Sequence, residues 1–194
     1  VVAIDFGTSY SGYCFSLASG TDQIRQVYWG QGHGFKTLKT PTCILFNQKQ
    51  EFKDFGYGAV MKYKRLPSSQ ADSWYFFENF KMQLYNTVGG TNVTSGTQLK
   101  ASDGKLLPAL KVFSESLRYL KEHALNTIQE ASFQTVHDQE EITWVLTVPA
   151  IWSPAAKQFM RLAAKEAGII SHMLSENLII ALEPEAASLW CKQL

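Results

Sequence analysis

The stretch that decides the fold is VVAIDFGTSYSG, residues 1–12. Its first six residues are largely apolar and include β-branched side chains, which is typical of a strand buried in a sheet. Gly7 to Gly12 then predict a turn, and Asp5 places a carboxylate near the end of the strand. Ligands of open α/β sheets lie just beyond such strand ends, so this stretch predicts one edge of a ligand site.

Two later apolar runs continue this pattern. Ile142–Val148 and Leu178–Leu182 each predict a buried strand that is followed by the start of a helix. Ser153 and Pro154 form an N-cap and first-turn pair, and the Glu-Pro-Glu stretch at 183–185 begins a helix in the same way. Strands that alternate with helices pair in parallel through right-handed crossovers. We therefore predict an α/β fold.

The first third of the chain predicts short strands that are not joined by helices. Its glycines and Pro41 separate these strands in the rhythm of an antiparallel meander. The region from about 47 to 107 predicts an inserted, subdomain-like segment, with an Asp-Gly hairpin turn at 103–104. The strands of the meander are predicted at 1–6, 13–17, 24–29 and 42–46.

A long amphipathic helix is predicted at Pro108–Ser132 because its apolar residues recur at helical spacing. We expect this helix to lie across a sheet. An acidic linker, Gln134–Glu141, follows it and leads into the second buried strand. The residues of the helix that we expect to be buried are Leu110, Phe113, Leu117 and Leu120.

Composition and charge exclude several classes of function. Eighteen basic and seventeen acidic residues give a net charge of +1, without the basic excess that marks a nucleic-acid binder. The longest apolar stretches are far shorter than the roughly 20 residues needed to cross a bilayer. Three widely separated cysteines without a CxxC pair favour a reducing compartment. We expect no nucleic-acid partner, no membrane span and a cytoplasmic location, and leave a nuclear one open.

Polar residues follow the apolar runs where a ligand site is expected. Asp5 and Glu183 both stand at the carboxyl end of a predicted strand. Carboxylates there suit a hydrated Mg²⁺ beside a polyphosphate, because this ion prefers oxygen ligands and keeps most of its waters. Gly7, Thr8 and Ser9 would bring backbone N–H groups and hydroxyls to phosphate oxygens. The alternative is that Asp5 only caps a turn that Gly7 only permits.

Three widespread motifs do not fit the chain. Residues 7–12 have the G-x-x-x-x-G spacing of a P-loop, but Tyr13 and Cys14 follow where lysine and Ser/Thr are required. A serine nucleophile elbow around Ser9 would need glycine at position 11, where Ser11 stands. The four histidines form no HxH or HxxxH pair, so we assign them no role. A Walker loop is therefore excluded, and serine hydrolysis is disfavoured.

The same stretches resemble a known superfamily. DFGTSYS at 5–11 resembles the first phosphate loop of the actin, sugar-kinase and 70-kDa heat-shock superfamily. LTVPA at 146–150 and LEPEAA at 182–187 resemble the heat-shock branch, whereas sugar kinases share only the first motif. The resemblance to the divergent heat shock 70 kDa protein 12 subfamily extends over nearly the whole chain. The other stretches that show this resemblance are FENFKM at 77–82 and the runs 112–124, 145–160 and 178–190.

This resemblance implies an actin-like, ribonuclease H-like ATPase lobe that uses ATP or ADP with Mg²⁺. On the family's pattern Asp5 holds the water shell of the metal. The loop of Gly7, Thr8, Ser9 and Tyr10 would wrap the β- and γ-phosphates. The expected architecture is a mixed sheet with an N-terminal β-meander and flanking helices.

The resemblance also implies two catalytic residues. Lys81 would reach the γ-phosphate and the attacking water, and Glu183 would position water and metal; the alternative for Lys81 is an ordinary surface lysine. Pro149 and Lys157 match a proline and a basic residue that relay nucleotide state between domains. The chain departs from the pattern there, because Lys157 replaces an arginine and Ile151 replaces an aromatic residue. Interdomain signalling of the chaperone type is therefore in doubt.

The family's second phosphate loop, Asp-x-Gly-Gly-Gly-Thr, is absent from this sequence, as is its adenosine-binding segment. Because Val1 and Leu194 stand inside an apparent strand and helix, we expect residues 1–194 to be lobe I of a longer domain, inactive alone. The expected function is ATP binding, with or without slow hydrolysis, in a chaperone-type ATPase with client or signalling partners. The alternatives are a non-catalytic, nucleotide-sensing scaffold and, with less support, a carbohydrate kinase.

Overall fold

The structure is a computed structural model that describes residues 1–17, 24–86, 93–94, 96–132 and 142–191, so the predicted acidic linker lies outside the described residues. In chain order the elements are β1 (Val2–Phe6), β2 (Tyr10–Phe15), β3 (Arg25–Gln26), β4 (Thr40–Pro41), β5 (Cys43–Phe46), β6 (Phe52–Phe55), α1 (Gly56–Lys64), α2 (Ser68–Ala71), β7 (Tyr75–Glu78), α3 (Phe80–Asn86), β8 (Gln98–Lys100), β9 (Leu106–Pro108), α4 (Ala109–Ser132), β10 (Trp144–Val148), α5 (Pro154–Glu166), β11 (Leu178–Leu182) and α6 (Glu183–Cys191).

The main sheet is mixed and has the strand order β11-β10-β1-β2-β3, with the short β4 paired to β2. β10 runs parallel to both β1 and β11, which confirms the parallel pairing predicted for the three apolar runs. β2 runs antiparallel to β1, as the meander predicted. The carboxyl ends of β1, β10 and β11 therefore meet at one edge of the sheet.

One face of this sheet carries the core. Alternate residues of β1 and β10 point into it and are buried, and α4 and α5 pack against them and against each other. Phe113 of α4 is central, because its ring lies 5.6 Å from that of Phe6 in β1 and 5.5 Å from that of Phe159 in α5. Aromatic packing of this kind fixes the position of the strand that ends in Asp5.

The long helix is confirmed, since α4 runs from Ala109 to Ser132. Phe113, Leu117 and Leu120 are buried as predicted, while Leu110 is only half-buried against the core. Leu110 follows the fully buried Ala109 and stands two residues before the fully buried Val112, so it lies at the side of the buried face of the helix. The cap of α5 is also confirmed: the Ser153 hydroxyl accepts a hydrogen bond from the backbone N–H of Ala156.

Several details differ from the predictions. The strand predicted at 24–29 is reduced to the two residues of β3, and the strand predicted at 42–46 lies in a second sheet as β5. The strand at 178–182 was predicted to be buried, but it lies at the edge of the sheet and the side chain of Ile179 is 49% exposed. The turn after β1 was predicted to extend to Gly12, but β2 already begins at Tyr10. The antiparallel ladder continues through the pairs Phe6–Ser11 and Asp5–Gly12, so the turn is confined to residues 7–9.

The segment after the meander is built on a second, smaller sheet. β5 pairs with β6 and with β7, both antiparallel, and α1 follows β6 directly. The predicted hairpin is confirmed, because β8 and β9 pair on either side of the Asp103-Gly104 turn. α3 follows β7 and brings Lys81 back towards the main sheet. Within the described residues, no helix is long and apolar enough to cross a membrane.

Candidate functional site

The loop between β1 and β2 is fixed by contacts to its backbone. A Cβ atom on Gly7 would stand 2.2 Å from the carbonyl oxygen of Tyr10, so only glycine fits this tight turn. The buried hydroxyl of Thr42 donates to the carbonyl oxygen of Gly7 at 2.9 Å, and the Thr42 N–H donates to that of Ser9 at 2.8 Å. The loop is thereby held against Thr42, the single residue between β4 and β5.

Asp5 presents its carboxylate on the open face of the main sheet, one residue before the end of β1. Its Oδ1 atom accepts a hydrogen bond from the Thr147 hydroxyl of β10 at 2.9 Å. Its Oδ2 atom lies 2.5 Å from Nζ of Lys39, and the Asp5 side chain remains 42% exposed. Both oxygens of Asp5 are therefore engaged by the protein while the carboxylate stays accessible to a ligand.

Lys81 is a buried cation at the start of α3. Its side chain is only 1% exposed, and Nζ donates to the carbonyl oxygen of Phe6 at 2.5 Å and to Oε1 of Glu183 at 2.7 Å. The ammonium also lies 5.4 Å from the ring centroid of Trp152. Burial lowers the pKa of Lys81, and the hydrogen bond and negative charge of Glu183 act against that shift.

Glu183 joins these residues to a cleft of about 420 Å³ at the carboxyl edge of the sheet. It is the first residue of α6 and follows β11 directly, so its carboxylate stands at the strand end and is 38% exposed. Lys81 lies behind it. The residues that line the cleft are Asp5, Gly7, Thr8, Thr147, Glu183, Ala186 and Ala187. The structure therefore brings Asp5, Lys81 and Glu183 together from three distant segments.

The donor set of the cleft suits a hydrated divalent cation and phosphate oxygens. Two carboxylates and the hydroxyls of Thr8 and Thr147 offer the hard oxygen atoms that Mg²⁺ prefers, with room for its waters. Lys39 and Lys81 place one positive charge beside each carboxylate. Among the described residues, no three His, Cys, Asp or Glu side chains gather closely enough to hold a metal ion directly. Contact through water is the arrangement that these residues fit.

Not every predicted residue lies in the cleft. In the described part of the chain, Ser9 and Tyr10 are exposed and do not line it. Lys81 does not line it either, because it is buried behind Glu183, which also rules out an ordinary surface lysine. Pro149 is half-buried just after β10, and Lys157 lies in the first turns of α5. Neither Pro149 nor Lys157 contacts Asp5, Lys81 or Glu183 through a hydrogen bond or ion pair in the described residues.

Sequence reasoning missed three residues of the site. Thr147 had a usable signal, because it is a polar residue inside an apolar strand and lies near the carboxyl edge. Trp152 had a weak signal, as a buried aromatic residue shortly after that strand. Lys39 had none, since it stands in an irregular segment between two meander strands and reaches Asp5 only through the fold.

No protein-family model matches the chain, but curated relatives do. Heat shock 70 kDa protein 12B of Homo sapiens is 47% identical over 196 residues. Heat shock 70 kDa protein 12A is 46% identical over 198 residues in Mus musculus and 43% over 196 in Homo sapiens. Each alignment covers 100% of this chain and 28% of the relative, so the chain spans little more than a quarter of these proteins.

The fold and the site define an α/β domain whose mixed sheet carries a cleft at the ends of its parallel strands, with two lysine-paired carboxylates in its wall. Within that class, the chain is similar in sequence to one subfamily. Over its whole length the chain is a homologue of the heat shock 70 kDa protein 12 subfamily, and the resemblance predicted from its motifs is confirmed.

Proposed function

We propose that the chain binds ATP or ADP with Mg²⁺, as lobe I of a divergent 70-kDa heat-shock-type ATPase domain. The observation that carries this proposal is that Asp5 and Glu183 line one cleft and that Lys81 is buried directly behind Glu183, although the three residues lie in β1, α6 and α3. A turn with room only for glycine stands beside them and offers backbone N–H groups for phosphate oxygens. The same positions carry the nucleotide chemistry of the superfamily that the motifs resemble.

The topology supports the finer fold assignment, an actin-like, ribonuclease H-like lobe. β1 lies between the parallel strand β10 and the antiparallel strand β2, with helices on one face of the sheet and the cleft at its carboxyl edge. In open α/β sheets this edge is where ligands bind. Residues 1–194 would form one wall of the nucleotide site, and a second lobe would supply the other.

We assign the roles as follows. Asp5 would hold the water shell of Mg²⁺, and the loop of Gly7, Thr8, Ser9 and Tyr10 would follow the phosphate chain. Bound Mg²⁺ neutralises phosphate charge and so favours phosphoryl transfer to water. Lys81 keeps a positive charge behind the cleft because Glu183 and the Phe6 carbonyl hold its ammonium in place.

Glu183 would orient a water molecule beside the phosphate, because its carboxylate is accessible and its position is fixed by Lys81. The cytoplasmic location and the client or signalling partners expected from the sequence remain part of this proposal. The location rests on the three widely separated cysteines, and the partners rest on the resemblance to chaperone ATPases.

Glu183→Gln in the full-length protein tests the proposal. Glutamine still accepts the hydrogen bond from Lys81 but lacks the charge, so we expect hydrolysis of ATP to fall about tenfold or more, the scale of a misplaced catalytic group. The exposed Glu176→Gln is the matched control. If the parent protein neither binds nor hydrolyses ATP, the chain is a scaffold that keeps the fold without the nucleotide.

A further inference from the structure

Lys39 contacts the carboxylate at the candidate metal position. Its Nζ atom lies 2.5 Å from Oδ2 of Asp5, the carboxylate to which the proposed function assigns the Mg²⁺ water shell. The other oxygen of Asp5 already accepts the Thr147 hydroxyl. The Asp5 carboxylate is therefore already paired with the Lys39 ammonium in the absence of a ligand.

The fold leaves space for the Lys39 side chain beside Asp5. Gly12 pairs directly with Asp5 across β1 and β2, and a Cβ atom on Gly12 would stand only 3.2 Å from Cγ of Lys39 and 3.0 Å from the Leu38 carbonyl oxygen. The missing side chain lets the aliphatic stem of Lys39 lie over the strand and reach Asp5. The Thr37 hydroxyl holds the backbone by donating to the Lys39 carbonyl oxygen at 2.8 Å.

The ion pair between Lys39 and Asp5 affects whether a further cation can bind at Asp5. The cleft holds two carboxylates, and each is paired with one lysine: Asp5 with Lys39, and Glu183 with Lys81. A second cation at Asp5 would meet the positive charge of Lys39, and like charges on one carboxylate repel each other. A phosphate group would offer Lys39 another anionic partner, and the Lys39 side chain is accessible to it because 49% of that side chain is exposed.

Resting on the proposed function, we propose that Lys39 makes binding of the divalent cation at Asp5 conditional on a bound phosphate chain. Without phosphate, Lys39 neutralises Asp5 and excludes the cation. With phosphate bound, Lys39 pairs with a phosphate oxygen and leaves Asp5 to the water shell of the metal. The two ligands then bind with positive coupling, since each removes an obstacle to the other.

Direct binding of Mn²⁺ to the full-length protein, followed by electron paramagnetic resonance, tests this inference. Lys39→Met keeps the stem over Gly12 and removes only the charge. Without nucleotide we expect this variant to bind Mn²⁺ about fivefold more tightly than the parent, the equivalent of about 1 kcal/mol for an exposed ion pair. Lys39→Arg keeps the charge and should behave as the parent, and so should Lys36→Met, whose ammonium lies over the Tyr28 ring instead.

ADP separates the possible outcomes. We expect it to increase Mn²⁺ affinity more in the parent than in Lys39→Met, because only the parent has a cation to displace. Equal Mn²⁺ affinities of parent and Lys39→Met without nucleotide, beside normal binding of ADP, would overturn the role of Lys39 and leave the proposed function standing. A parent protein that binds neither ADP nor Mn²⁺ under any condition would overturn both.

Discussion

Nζ of Lys81 lies 2.7 Å from Oε1 of Glu183, across 102 residues of sequence. The same ammonium donates to the Phe6 carbonyl at the end of β1. One buried charge thus ties the start of α3 and the first residue of α6 to the strand that carries Asp5. The positions of Glu183 and of the end of β1 therefore both depend on this ammonium.

Replacing Lys81 by methionine is therefore expected to destabilise the fold. The change fills a similar volume but leaves the Phe6 carbonyl and the Glu183 carboxylate without their donor, which costs about 1–3 kcal/mol for a buried polar group. Urea unfolding of parent and variant measures the difference. The exposed Lys49→Met serves as the control. An unchanged unfolding midpoint for Lys81→Met would mean that the ammonium does not hold these elements together.

Gly7→Ala tests the geometry of the loop. Because the added methyl group would stand 2.2 Å from the Tyr10 carbonyl oxygen, the backbone of residues 7–10 has to move. We expect a loss of about 1–3 kcal/mol in the free energy of unfolding, the range of an overpacked site. Gly32→Ala is the matched control, because a Cβ atom there meets nothing within 4 Å. Equal thermal stability of the two variants would contradict the tight turn.

Alkaline pH is expected to weaken the fold through two buried acids. Burial raises the pKa of Cys43 from 9.0 to about 12 and that of Tyr13 from 10.0 to about 12. Between pH 9 and 12 the unfolded thiol loses its proton while the folded one keeps it. The folded state then binds more protons, and its stability falls as pH rises. The lowered pKa of Lys81 acts in the opposite direction, because there the unfolded state binds more protons.

Cys43→Ala measures how much the Cys43 thiol contributes to the loss of folding stability at alkaline pH. Between pH 8 and 10.5 the parent should lose about 1–2 kcal/mol more stability than the variant, as expected for a shift of this size. Denaturant unfolding at the two pH values measures the loss, and the pair compared at pH 7 gives the baseline cost of the substitution. Parallel pH profiles for parent and variant would show that Cys43 titrates as in the unfolded chain.

Local signals in the sequence predicted much of the architecture. The Ser153 and Pro154 pair fixed the start of α5, and the helical period of apolar residues located α4 to within a residue. The parallel strands followed from apolar runs alternating with helices. The burial of β11 was predicted wrongly because an apolar run does not reveal whether a strand is central or at an edge, and Ile179 faces outward there.

The site was only partly predictable for a physical reason. Asp5 and Glu183 stand at strand ends, and their positions could be inferred from the chain itself. Lys39 reaches Asp5 only because β2 pairs with β1 in a register that sets Gly12 opposite Asp5. Such a contact depends on strand register and on the missing side chain of a glycine, which no local pattern records.

Asp5→Asn in the full-length protein tests the central claim most directly, with Mg²⁺–ATP binding measured by titration calorimetry. Asparagine keeps the size and the turn but removes the charge, and charged hydrogen bonds are worth about 1.5–3 kcal/mol. The account predicts an affinity about ten- to hundredfold weaker, an unchanged circular dichroism spectrum and parent-like binding by the exposed Asp72→Asn control. A folded Asp5→Asn protein that binds Mg²⁺–ATP as tightly as the parent would contradict it.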